Sequence, residues 1–191
     1  MTRADLSPPQ PPSPFAIWRE FHWAFFLNVQ GLIVALRRFR LALERQRMAD
    51  AEEELNTASV LLTASAAAME LAASFPKEVY ETTIRVSMTR PTVESDDFSG
   101  LMSWEHAVLV DLWRDLRPVF SALPEELAVA HSGFVAAYRH LAESHVGVCA
   151  RFVDSGSLRF DDRNAVETLR RFGRGRLGLI DPGGQGCPFH S

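Results

Sequence analysis

The 191-residue sequence predicts an all-α protein, a single-domain helical bundle. Three observations predict it. Apolar residues recur at helical spacing over nearly the whole of 15–180, with no strand-dominated stretch and no internal repeat. The interruptions are helix breaks, "FP" at 75–76, "LP" at 123–124 and the glycines that close 165–178. Apolar residues make up 47% and charged residues 23%, an ordinary balance for a chain with a buried core.

The elements follow in order. Residues 1–14, "MTRADLSPPQPPSP", are rich in Pro and Ser and read as a disordered or extended arm. Residues 15–46 form one long helix, apolar first and then basic, ending in the half-exposed pattern "LRRFRLALERQR". A second helix covers 50–73, with Asp50 as its expected N-cap and Glu52, Glu53 and Glu54 in the first turn, where the helix dipole favours acids. Residues 77–88 form a shorter helix, in part extended, and 89–100 a loop. A helix over 101–117 can reach 121, with Pro118 near its end. "LPEE" opens the next helix, which runs to about residue 153. A turn region and a last short helix over 165–178 lead to an irregular tail, 181–191.

Bulk properties narrow the function. A net charge of −4 and a pI of about 5.9 give no footprint for nucleic acid or an anionic membrane surface. The stretches 23–36 and 58–75 are apolar but carry Asn28, Gln30 and Glu70, and each falls short of about 20 apolar residues, so both read as buried helices without a membrane anchor. Two cysteines make no disulfide framework, and the start has no apolar signal core, so the expected compartment is the cytoplasm.

The chemistry concentrates on two helices. Counted from His145, helical steps return His131, Phe134, Tyr138, Leu141, Cys149 and Phe152 to one stripe. His145 and Cys149, at i and i+4, are neighbours there. Counted from His106, the same steps give Leu109, Val110, Trp113, Arg117 and Phe120. Two helices that each offer one histidine from an apolar face make a natural clamp for a planar metal cofactor. The plainer reading is that both histidines and the cysteine are packing residues.

Other sites fit less well. Zinc favours four ligands, and His106, His145 and Cys149 supply three, with Glu105 and Glu143 off the stripe. A di-iron bundle needs ExxH motifs, which are absent. A Cys149–His145 nucleophilic pair has no acidic group to orient it. Heme fits better, with an imidazole as axial ligand and a thiol one turn away to form a thioether to a vinyl group. The usual CxxCH attachment motif is absent, and HxxxC reverses its order.

His106 followed by "HVGVC" at 145–149, with "FSGLMSWEHAVLVDLWRDLRPVF", "AYRHLAESHVGVCARF" and "TLRRFGRGR" around them, resembles the HxnHxxxC signature of the heme-dependent 3-methyltyrosine hydroxylases. These belong with the histidine-ligated heme aromatic oxygenases related to tryptophan 2,3-dioxygenase. The resemblance is clearest over 75–180. It implies an all-α bundle enclosing a heme that one thioether holds to Cys149, with His106 and His145 as axial ligands and His106 as the catalytic residue beside the iron. It implies oxidation, most simply hydroxylation, of an aromatic amino acid or related small molecule in antibiotic biosynthesis, with hydrogen peroxide or dioxygen as oxidant.

Arg117, Arg85 and Arg90 are candidates for heme propionates or a substrate carboxylate, because a guanidinium grips a carboxylate with two hydrogen bonds. Tyr138, Trp113 and Trp104 are candidates to line the pocket, and Cys187 and His190 offer donors in the tail. The short chain leaves a homodimer open, with part of the pocket supplied by a second subunit. A bis-histidine heme sensor or carrier without turnover, and a helical interaction protein without heme, remain as alternative functions.

Overall fold

The computed structural model describes residues 11–88, 103–152 and 165–184. Helix α1 is Pro14–Glu44 and α2 is Met48–Ala72. A short helix, α3, occupies 77–87 and contains a π-turn at Tyr80–Ile84. Helix α4 is Trp104–Ser121, α5 is Ala128–Phe152 after a 3₁₀ turn at Glu125–Leu127, and α6 is Ala165–Ile180. The all-α expectation therefore holds, with no strand among the described residues.

Local chemistry sets several of these boundaries. Ser13 caps α1 by accepting from the Ala16 amide, and Pro14 stands at the first helical position, where no donor is missed. The α1–α2 turn is three residues long, with Gln46 in the left-handed region at φ 56°. Asp50 is not the cap of α2 as expected. The helix begins two residues earlier, at Met48, and Asp50 instead pairs with Arg47 at 2.8 Å. Pro118 does not end α4, which continues to Ser121, and α6 runs two residues beyond the expected 178. The stretch 77–88 is helical and not extended. The expected loop 89–100, the turn after 153, Arg90, Cys187 and His190 lie outside the described residues.

The packing is cyclic. Helix α1 lies on α2, α2 on α5, α5 on α6, α6 on α4, and α4 back on α1. Close approach in the first pair rests on Gly31 of α1, where an added Cβ would meet Leu61 of α2 at 3.3 Å. Arg38 of α1 reaches Glu54 of α2 at 2.7 Å, which pairs an otherwise costly buried carboxylate. Ser144 of α5 donates to Glu70 of α2 at 2.7 Å, and Gln30 of α1 donates to Glu105 of α4 at 3.2 Å.

One core fills most of the ring, centred on Leu32, Leu36, Phe39, Leu116 and Phe134. A smaller cluster of Phe75, Tyr80, Ile84 and Phe152 closes one end under α3, with Tyr80 stacked on Phe152 at 4.5 Å. Among the described residues, α2 is the one helix long and apolar enough to cross a membrane. Its buried residues, Leu55, Leu62, Glu54 and Ser65 among them, belong to a core helix packed between α1 and α5.

Candidate functional site

The five helices of the ring surround a cavity of about 180 Å³. Helix α1 gives it an aromatic wall of Phe21, Phe25 and Phe26, with His22 beside them. Helix α2 adds Leu62 and Met69, and α4 adds His106, Leu109 and Trp113. Tyr138, Leu141 and His145 come from α5, and Leu169, Gly173 and Arg176 from α6.

His106 and His145 thus face the same space from separate helices. The position of His106 is set by the start of α4. The Ser103 hydroxyl accepts from the His106 amide at 3.2 Å, so the cap that begins the helix also fixes the backbone that carries the imidazole. His145 sits two turns beyond Tyr138 on the inward stripe of α5.

Both imidazoles are held neutral. Burial pushes His106 down to about 4, helped by the Arg176 charge and by His145. Burial likewise pushes His145 down to about 4, with Arg176 and His22 adding to it. A dry cavity beside a guanidinium disfavours a second positive charge.

Three nitrogens of the lining, His22 Nδ1, His106 Nε2 and Trp113 Nε1, are buried and have no hydrogen-bond partner among the described residues. Buried polar atoms are nearly always satisfied, so three orphans on one cavity point to a ligand that completes them. Trp113 also meets Tyr138 edge-on at 5.3 Å. The Tyr138 hydroxyl donates to the Gly173 carbonyl at 3.3 Å, and burial raises the phenol to about 12.

The other sequence candidates separate. Arg117 shares an angular position with His106 but lies three turns further along α4, about 16 Å away, past the end of the cavity at Trp113. It is exposed and does not line the site. Trp104 is 79% exposed and is no part of the lining either. Arg85 lies beside Tyr80 at the end cluster. Cys149 is buried but does not line the cavity. Its sulfur is near Tyr80, one turn beyond His145, and burial raises the thiol to about 11.

His131 serves packing. Its Nε2 hydrogen-bonds the Ile180 carbonyl at 2.7 Å, and its ring stacks on Phe120. Two cavity residues escaped the sequence reading, His22 and Arg176. His22 stacks on Trp18 at 4.6 Å, and burial lowers its pKa, partly offset by the Trp18 carbonyl. Arg176 lies on the stripe Leu169–Gly173–Arg176–Ile180 of α6, whereas the apolar stretch around His22 gives no single stripe.

The donor set suits an iron porphyrin. It offers three imidazoles, those of His22 and His106 each with a free ring nitrogen, an aromatic wall and one guanidinium. The space is smaller than the set requires, since small-molecule sites start at about 300 Å³. A macrocycle enters only if the ring of helices widens. No group of three or more His, Cys, Asp or Glu is placed to hold a bare metal ion among the described residues.

A helical ring around a histidine-lined cavity defines the class, an all-α bundle. The SfmD 3-methyl-L-tyrosine peroxygenase family matches residues 2–130, and the chain belongs to that family. That match takes in His22 and His106 and stops before His145 and Cys149. A 3-methyl-L-tyrosine peroxygenase of Streptomyces lavendulae is 27% identical over 168 residues, 85% of this chain. The chain spans 46% of that relative's length. No solved structure matches it.

Proposed function

We propose that this chain is a heme-dependent peroxygenase, or a closely related oxidoreductase, acting on an aromatic amino acid or similar small molecule in antibiotic biosynthesis. The observation that carries the reading is the convergence of His106 and His145 on one aromatic cavity, with His106 Nε2 unsatisfied. The 3-methyl-L-tyrosine peroxygenase of S. lavendulae supports an aromatic substrate and a peroxide oxidant, with dioxygen as the alternative oxidant.

His106 and His145 would hold the iron of such a heme. Bound there, a heme supplies the iron at which peroxide is activated for insertion of oxygen into the substrate. The protein's own part is preparation of the site. Burial keeps both imidazoles unprotonated at neutral pH, the form that can ligate. A group lowered to about 4 is a weak base, so His106 is better suited to hold iron at Nε2 than to remove a proton. Phe21, Phe25 and Trp113 exclude water and offer flat faces to an aromatic ring.

A thioether to Cys149 is part of the proposal. Its support is the HxxxC spacing, which sets the thiol one helical turn from His145. Addition of the S–H across a vinyl double bond needs no oxidant. A second reading is a bis-histidine heme carrier, which needs no room for a substrate beside the macrocycle.

Expression with a heme precursor tests both. A Soret band, a pyridine hemochrome and peroxide-driven oxidation of an aromatic amino acid are expected. A Soret band without product favours the carrier. Colourless protein after reconstitution with hemin rejects the heme altogether.

A further inference from the structure

Arg176 is the one charged side chain in the cavity wall among the described residues, and no carboxylate lines that wall. Among the arginines that reach across helices or into the core, Arg38 has Glu54 as partner and Arg139 has Asp181. Arg176 has none among the described residues. The phenol of Tyr138 lies beside it, and the ring face of Phe172 is 5.4 Å away. A guanidinium carries five donors, and a single phenol leaves most of them unused. Setting a cation in an apolar wall without a counter-charge is costly. An aliphatic side chain would pack on the Leu169–Gly173–Ile180 stripe without that cost.

We infer that Arg176 is a carboxylate receptor, and that the occupant of the cavity is an aromatic molecule bearing a carboxylate, held by the guanidinium with the Tyr138 hydroxyl beside it. The inference deepens the proposed function and rests on it for the aromatic half of the ligand. The carboxylate has two sources, that of an aromatic amino acid or a propionate of the porphyrin. The wall is aromatic on α1 and cationic on α6, so one ligand can satisfy both at once.

Two matched pairs of ligands separate the sources. L-Tyrosine is compared with tyramine, which lacks only the carboxylate, on hemin-loaded protein by calorimetry. Hemin is compared with its dimethyl ester, which has no free propionate, by titration of the heme-free chain. The wild type is expected to prefer the carboxylate member of one pair by about tenfold or more, the range of a charge-assisted hydrogen bond. Arg176→Gln should abolish that preference and Arg176→Lys should restore part of it, with far-UV spectra and unfolding midpoints showing that both variants fold.

A preference confined to tyrosine assigns Arg176 to the substrate, and one confined to hemin assigns it to the propionate. A preference that survives undiminished in Arg176→Gln overturns the inference. Hemin binding with a normal Soret band but no carboxylate preference in either pair sinks the assignment of Arg176 and leaves the heme reading standing. Protein that takes up no hemin sinks both.

Discussion

His106 and His145, on different helices, line the same cavity, and the Nε2 of His106 has no partner among the described residues. An unsatisfied buried nitrogen costs about 1–3 kcal/mol, whereas an apolar group of similar shape costs little. His106→Leu is therefore expected to stabilise the heme-free protein by about 1 kcal/mol while weakening hemin binding. Urea unfolding of the two heme-free proteins reads the first effect and hemin titration the second. Destabilisation by 2 kcal/mol or more would make His106 a packing residue.

The neutral imidazoles also set a pH dependence for the heme-free fold. Folded His106 and His145 titrate near 4, far below an unfolded histidine. As pH falls from about 6.5 towards 4, the unfolded chain takes up protons that the folded one refuses, so stability is complete at neutral pH and lost on acidification. Each histidine contributes a slope of up to about 1.4 kcal/mol per pH unit in that window, and His22 adds with the same sign. Chemical denaturation at pH 7, 6 and 5 measures it. The double variant His106→Leu/His145→Leu should lose most of the slope, and an unchanged slope would contradict the cavity's electrostatics.

The helices and the two facing histidines were legible in the sequence because each rests on a period. His106 and His145 lie on stripes whose outer faces are polar, so direction follows from spacing. His22 was not legible. Residues 21–29 are apolar on nearly every side, with Trp23 and Leu27 more than 60% exposed, so spacing does not say which face turns inward. Arg176 was hidden by Gly173, Gly175 and Gly178, which read as a helix end. Packing overrides that propensity, since α6 lies against both α5 and α4. Arg117 misled because an angular match ignores how far along the axis the cavity extends.

Cys149 gives the third prediction. A thiol that is buried and raised to about 11 is protonated and inaccessible at pH 8. In heme-free native protein, iodoacetamide should label Cys149 at least tenfold more slowly than in urea, a rough bound from its thiolate fraction. Peptide mass spectrometry distinguishes it from Cys187. In heme-loaded protein, the proposed thioether predicts that heme stays with the denatured chain and is released in Cys149→Ala. Equal release from both would remove the thioether and leave axial ligation untouched.

Helix α6 carries Arg176 to the cavity, and its far end is fastened by Arg139 of α5, whose Nη2 donates to Asp181 at 3.3 Å. The Asp181 carboxylate is almost fully buried while Arg139 is partly exposed, so removing Asp181 leaves a half-desolvated guanidinium unpaired. Asp181→Ala is expected to cost about 2 kcal/mol, below the 3–5 kcal/mol of a fully buried pair because water still reaches the arginine. Arg139→Met combined with Asp181→Leu should recover most of that loss, since apolar replacements carry no stranded charge. A double-mutant cycle by urea denaturation measures the coupling. If the clamp also positions α6, Asp181→Ala will reduce the carboxylate preference assigned to Arg176, and the Met/Leu pair will restore it. A carboxylate preference indifferent to both would mean that Gly173 and the Tyr138 hydroxyl suffice to seat the helix.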